Sequence, residues 1–156
     1  MTNIIFVCTG NVFRSLTAEF ALRRYLGADS NILISSAGTT DFPNLFVRDD
    51  VSKYLFSKGL DVTSHQRRTL TDSMVNQADV VVAMSVDHKS YLYKKYAIDF
   101  PLFTEASGQA PEALLDVDDL FSPEDRHGPE AQKHIYYIID TIIDLVPCLA
   151  NNLKLT

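Results

Sequence analysis

One cysteine in this chain stands where its sulfur could attack phosphorus. Cys8 closes the apolar run Asn3-Ile-Ile-Phe-Val-Cys8 and is followed by Thr9-Gly-Asn-Val-Phe-Arg14-Ser15. A loop of mostly small residues that enters a helix turns successive backbone N–H groups, here those of Thr9, Gly10, Asn11, Val12 and Phe13, into one concavity. Such a concavity binds an anion. Arg14 adds a planar fork of donors suited to the oxygens of a phosphate. Cys8, at the start of the loop, would lie beneath the bound phosphorus, and the same positive surroundings favour the thiolate, which is the nucleophilic form. A cysteine and an arginine with five residues between them occur by chance in many chains. What gives this pair weight is the strand before it, the glycine inside the loop, Ser15 directly after Arg14, and the helix that follows. The competing reading is a buried cysteine at a strand end beside a surface arginine.

The elements needed to hold that loop are legible around it. Asn3–Cys8 has the length and composition of a strand. From Ser15 to about Gly27, residues Ala18, Ala21, Leu22, Tyr25 and Leu26 keep helical spacing, with Ser15 as N-cap and Gly27 as stop. Ile32–Ser35 reads as a second strand, Gly38–Asn44 as a turn, and Val47–Lys58 as a helix ended by Gly59. Asp79–Met84 is a β-branched run of the kind found in strands covered on both faces. A helix over Val86–Tyr96, a short strand at Asp99–Phe103 and a long helix over Pro129–Leu153 complete the pattern. The last helix carries Ile135, Ile138, Ile139, Ile142, Ile143 and Val146 along one side. Strands alternating with helices predict an α/β fold, a parallel sheet with helices on both faces, formed by residues 1–156 as a single domain. In such sheets ligands bind beyond the carboxyl ends of the strands, where strand order reverses. Cys8 and its loop stand at such an end.

The 156 residues suffice for a core that needs neither disulfide nor metal. Hydrophobic residues make up 46% and charged residues 22%, as in an ordinary globular domain. A net charge of -6 without any run of Lys or Arg argues against nucleic acid and against anionic membranes as partners. Any attraction for an anionic substrate must therefore be local. No apolar run approaches the ~20 residues of a membrane span, and Ile4–Val7 is too short for a signal-peptide core. Cys8 and Cys148, at opposite ends of the chain, make a poor disulfide framework and suit a reducing cytoplasm.

Val7-Cys-Thr-Gly-Asn-Val-Phe-Arg-Ser15 resembles the signature loop of the low-molecular-weight protein tyrosine phosphatases. Further likenesses follow in order along the chain: Ser36-Ala-Gly-Thr39, Gly59-Leu-Asp61, His65 with Arg68, and Ala78-Asp-Val-Val-Val-Ala-Met84. The resemblance covers nearly the whole chain. It implies a flavodoxin-like fold with a four-stranded parallel sheet, and a metal-independent, cofactor-free hydrolysis of aryl phosphates. By this likeness Cys8 forms a phosphocysteine, Arg14 clamps the phosphate and Ser15 donates a hydrogen bond to the thiolate. Asn11 holds the loop's backbone shape, tied in place by Ser36 and His65. The implied partners are phosphotyrosine proteins or other aryl phosphates, and a cognate tyrosine kinase.

The family's proton donor is an aspartate in a late Asp-Pro-Tyr/Phe segment, and Val117-Asp-Asp-Leu-Phe121 is the matching stretch. Alignment on Phe121 makes Asp119 the general acid and later the base, with Asp118 one position off as a competitor. Taken alone the stretch reads as a solvated acidic loop. Leu120 replaces the family's proline, removing a fixed φ. Val12 looks like the tyrosine-phosphate branch, because a related arginine-phosphate branch has threonine there. Phe121, with Phe42 or Phe46, would wall a slot for an aromatic ring. Phe13 stands where most members carry a second cysteine that traps an oxidised nucleophile. Three rivals are an arsenate reductase, which would need resolving cysteines that Cys148 alone supplies poorly; a haloacid dehalogenase-type phosphatase using Asp116-Val-Asp118; and a phosphate-binding module without catalysis.

Overall fold

The computed structural model describes residues 1–156 as three parallel strands wrapped by helices. The strands are β1 (Thr2–Cys8), β2 (Ile32–Gly38) and β3 (Val80–Ala83), in the order β2-β1-β3. β1 lies in the centre, with Cys8 opposite Gly38 of β2 and Val7 opposite Ala83 of β3. The chain leaves β1 toward one neighbour and later returns to its other side, so strand order reverses at β1. Its carboxyl end, Cys8, is therefore the switch point where an open α/β sheet forms its crevice.

The pleat of β1 sorts its side chains onto two apolar clusters. Ile4, Phe6 and Cys8 face the larger one, built with α1 (Arg14–Leu26), α2 (Asp49–Ser57) and α7 (Pro129–Asn152). Ile5 and Val7 face the smaller one, with Val75 of α3 (Asp72–Gln77) and Leu92 of α4 (Val86–Tyr96). Near-continuous burial along β1 explains its uninterrupted apolar sequence. The stripe Ile135, Ile138, Ile139, Ile142 and Val146 on α7 packs on the first cluster, next to Leu16 and Leu22 of α1.

The expected fourth strand is not formed. Asp99–Phe103 contributes one isolated bridge, Leu102 to Ala83, supported by the Ala83 N–H donating to the Pro101 carbonyl at 2.9 Å. Pro101 has no N–H to extend the ladder. Directly after it the chain turns into α5 (Phe103–Ala106), where Glu105 reaches back to the Leu102 N–H at 3.1 Å. A proline and a helix cap thus replace a strand. Three short helices were also illegible in the sequence: α3, α5 and α6 (Val117–Leu120), each of six residues or fewer. Pieces of one to two turns carry too little periodicity to register.

Candidate active site

Helix α1 begins at Arg14 rather than after Ser15, and the capping position falls on Phe13, which offers no side-chain oxygen. The first-turn N–H groups thus remain available to an anion. Thr9–Phe13 forms the loop between the end of β1 and this helix. Gly38 lets the loop pass: a Cβ there would sit 2.5 Å from the Thr9 carbonyl oxygen. The close approach is sealed by Thr39 N–H donating to the Cys8 carbonyl at 2.9 Å and Thr40 N–H donating to that of Thr9 at 3.1 Å.

At the loop's centre Asn11 is fully buried with a left-handed φ of 58°, a conformation Asn tolerates better than most residues. Its side-chain oxygen accepts the Arg68 N–H at 3.0 Å, which fixes the amide's orientation. The amide nitrogen is then left to donate to Ser15 Oγ at 2.9 Å and Ser36 Oγ at 2.8 Å. Its backbone carbonyl accepts from His65 Nε2 at 2.8 Å, and its N–H points at Cys8 Sγ at 3.3 Å. Ser36 Oγ–H in turn donates to the buried carboxylate of Glu19, which also pairs with Arg23 at 2.7 Å. Arg67 donates to the Gly10 carbonyl at 2.9 Å and to that of Thr40 at 2.8 Å. The loop is therefore gripped from β2, from α1 and from the segment around residues 65–68. Cys8 Sγ sits at its base, 2.9 Å from Ser15 Oγ.

Arg14 is only 2% exposed. One terminal nitrogen donates to the Leu114 carbonyl at 2.9 Å and lies 3.9 Å from Asp119 Oδ2; the other lies 3.4 Å from Asp116 Oδ2. Its Nε is buried and has no partner in the protein. A buried guanidinium N–H left without an acceptor is expensive, and a phosphate oxygen would satisfy it. Asp119, 37% exposed, accepts the Asp116 N–H at 2.8 Å as the third residue of α6. Asp118 points elsewhere, toward Arg126 at 3.3 Å.

On the far side of the loop, His88 is buried, and its Nδ1 accepts the Ser85 N–H at 3.1 Å. The ring proton must then be on Nε2, which donates to Thr9 Oγ1 at 2.8 Å. Burial, helped by the positive charge of Arg14, pushes the His88 pKa down to about 3, so the ring is neutral at ordinary pH.

Beside Val12 and Phe13 lies a hollow of about 280 Å³, bounded also by Leu45, Phe46, Asp116 and Asp118. Phe46 and Phe42 are both largely exposed. Phe121 follows α6, lies against His134 at a ring distance of 6.3 Å, and lines a different hollow with Asp125 and Gly128. Of the residues named from sequence, Ser15 and Asn11 touch the Cys8 sulfur, Ser36 and His65 hold Asn11, and Asp119 stands at the guanidinium of Arg14 where the loop Thr9–Phe13 enters the helix. Sequence reasoning missed Glu19, Arg67, His88 and the Leu114 carbonyl, and it named Asp116 only within the rival Asp116-Val-Asp118 motif, whereas the structure sets that carboxylate against Arg14. Glu19 did leave a trace: a carboxylate one helical turn beyond Ser15 on a face that must be buried.

The fold and this loop are those of a known family. The sequence model described as low molecular weight phosphotyrosine protein phosphatase matches residues 3–154, and the chain belongs to that family. Among its relatives, the protein-arginine-phosphatase of Bacillus subtilis (strain 168) is 33% identical over 95 residues, covering 60% of this chain and 63% of that protein. The probable low molecular weight protein-tyrosine-phosphatase EpsP of Ralstonia solanacearum is 28% identical over 93 residues, 60% of this chain and 62% of that protein. The matched segments thus span a little under two thirds of these relatives' length. Over whole chains, the crystal structure of a YwlE mutant from Bacillus subtilis superposes with a TM-score of 0.81 at 26% identity, covering 99% of each.

Proposed function

We propose that this protein hydrolyses phosphate monoesters of aryl alcohols, phosphotyrosine in proteins above all, through a phosphocysteine on Cys8. The observation that carries the reading is Arg14: a buried guanidinium with a partnerless Nε, at the entrance of a helix and one residue before the Ser15 that touches the Cys8 sulfur. In the first step the thiolate attacks phosphorus, the phosphate oxygens are held by Arg14 and the loop N–H groups, and Asp119 gives its proton to the leaving phenolate. In the second step Asp119 takes a proton from water, which attacks the phosphocysteine, and the sulfur leaves as a thiolate supported by Ser15 and the Asn11 N–H. No helix is long and apolar enough to cross a membrane, and both cysteines are free, which suits work on phosphoproteins in a reducing cytoplasm.

The choice of tyrosine rests on the apolar side chains Val12, Leu45 and Phe46 around the adjacent hollow, which suit a ring better than a polar chain. One observation favours phosphoarginine instead: Asp116 and Asp118 line the same hollow and would attract a guanidinium. Phosphotyrosine and phosphoarginine peptides of one sequence, compared by kcat/KM, decide between them.

The test of the mechanism is hydrolysis of p-nitrophenyl phosphate in EDTA. Wild type turns over, Cys8→Ser is inactive, and Asp119→Ala is slowed ~10²–10⁴-fold, as loss of a general acid requires. A folded but inactive wild type would make the site a phosphate-binding module. Full activity of Cys8→Ser would end the thiolate reading.

A further inference from the structure

The segment that carries Asp119 also carries the groups that hold Arg14 from behind, and this second duty is separate from proton transfer. We propose that Asp116 is the positioning residue of the phosphate clamp: its carboxylate holds one terminal nitrogen of Arg14 from behind, so that the partnerless Nε and the remaining terminal N–H groups are left for the substrate's oxygens. The proposal rests on the phosphatase reading above and divides two neighbouring carboxylates between two roles.

Asp116 is built as a fixed post. Its Oδ1 accepts the Val117 N–H at 2.7 Å and so caps α6, while Oδ2 faces Arg14 at 3.4 Å. The backbone leading to it is pinned. Leu114 N–H donates to the Met84 carbonyl at 2.9 Å, just past the end of β3, and the Leu115 carbonyl accepts from His134 of α7 at 2.7 Å. Leu114 and Val117 are buried in the same core as Arg14's helix. The Leu114 carbonyl, which takes the other terminal nitrogen of Arg14 at 2.9 Å, belongs to the same pinned stretch. Both terminal nitrogens make one bond each toward residues 114–116, and Nε is the guanidinium nitrogen with no partner in the protein. Planarity of the group then fixes where a phosphate oxygen must lie.

Asp119 differs on each count. It is more exposed, stands farther from Arg14 at 3.9 Å, and its only close tie is to the Asp116 N–H. A carboxyl at the rim, held by one N–H, can exchange its proton with a leaving group; a carboxylate fixed between a helix N-terminus and a guanidinium serves as an anchor. Asp118, facing Arg126 at 3.3 Å, does neither.

The two roles differ in their dependence on the leaving group. A general acid matters when the departing phenolate is a strong base and matters little when it is a weak one. A clamp matters equally for both, and for binding a phosphate that does not react. The experiment compares Asp116→Asn and Asp119→Asn with wild type on phenyl phosphate and on 2,4-dinitrophenyl phosphate, together with calorimetric titration of inorganic phosphate. Asn at 116 can still accept the Val117 N–H, so the fold is kept while the charge on Arg14 is lost; circular dichroism and the urea midpoint verify this.

Asp116→Asn is expected to lower kcat/KM about 10–100-fold on both substrates alike and to weaken phosphate binding at least 5-fold. Asp119→Asn is expected to lose ~10²-fold or more on phenyl phosphate, under 5-fold on the dinitrophenyl ester, and to leave phosphate affinity within 2-fold. The proposal is overturned if Asp116→Asn leaves phosphate affinity unchanged, or if its defect is confined to phenyl phosphate, which would make Asp116 the acid. Should wild type bind phosphate yet hydrolyse neither ester, the phosphatase reading falls, while the titration still decides whether Asp116 sets the clamp.

Discussion

Asn11 Nδ2 lies 2.9 Å from Ser15 Oγ, and that same oxygen lies 2.9 Å from Cys8 Sγ. An amide N–H can only donate, so the serine oxygen receives it and has its own proton left for the sulfur. The direction of the Ser15–Cys8 hydrogen bond is thus settled by a residue that touches the sulfur only through its backbone N–H. The chain of causes runs further back: the Arg68 N–H fixes the Asn11 amide, and Ser36 Oγ accepts the amide's second N–H.

Ser15→Ala removes one of the two protein donors to the departing thiolate. A hydrogen bond to a charged group is worth about 1.5–3 kcal/mol, so kcat should fall roughly 10–100-fold. The loss belongs to the second step, and stopped-flow mixing with p-nitrophenyl phosphate should show a burst of nitrophenol before the slow steady state. An unchanged kcat without a burst would mean the serine does not assist sulfur departure.

Asn11 combines a backbone role with a side-chain role, and two substitutions separate them. Asn11→Ala loses the side-chain bonds and places a Cβ residue at φ 58°, whereas Asn11→Gly loses the bonds alone. Both variants should be poorly active, and the glycine variant should be the more stable by about 1 kcal/mol. Urea midpoints measure the difference; equal stabilities would contradict a strained backbone at this position.

His88 gives the fold an acid-sensitive point. Its folded pKa of about 3 lies below the ordinary histidine value near 6.5, so the unfolded chain binds the extra proton. Stability from this group is complete above about pH 6.5 and is lost as pH falls toward 3. By pH 4.5 the loss from His88 amounts to roughly 2–3 kcal/mol. His88→Leu should be less stable at pH 7, having lost its bonds to Thr9 and Ser85, but should decline less between pH 6.5 and 4.5. Parallel decline of the two proteins in urea titrations would show that His88 does not titrate this way.

Phe13, buried at the end of the loop, occupies the position of the family's second cysteine, and Cys148 is exposed on α7. Nothing next to Cys8 can trap a sulfenic acid as a disulfide. Peroxide should therefore inactivate the protein with poor recovery in dithiothreitol, and Phe13→Cys should restore recovery. Full reactivation of wild type by dithiothreitol would refute this.

Much of the site was legible because it is local. Cys8, the loop and Arg14 lie within seven consecutive residues between a strand and a helix, and short-range geometry alone turns that order into an anion cradle. Ser15 looked like a helix cap, yet the helix starts one residue earlier and the hydroxyl is spent on sulfur. The family resemblance placed Ser36, His65 and Asp119, which spacing alone would have left as ordinary polar residues.

By itself the sequence determined the alternation of strands and helices, the apolar strand that becomes β1, and the loop that joins Cys8 to Arg14, because each follows from periodicity or from neighbours along the chain. Only the tertiary structure decided the rest. It replaced a fourth strand with a single bridge, since Pro101 lacks an N–H and a helix begins directly after Leu102. It buried Glu19 and His88 behind the loop, and it brought Asp116 to Arg14 across 102 positions of sequence. Contacts at that separation depend on how the layers pack, which no local pattern records.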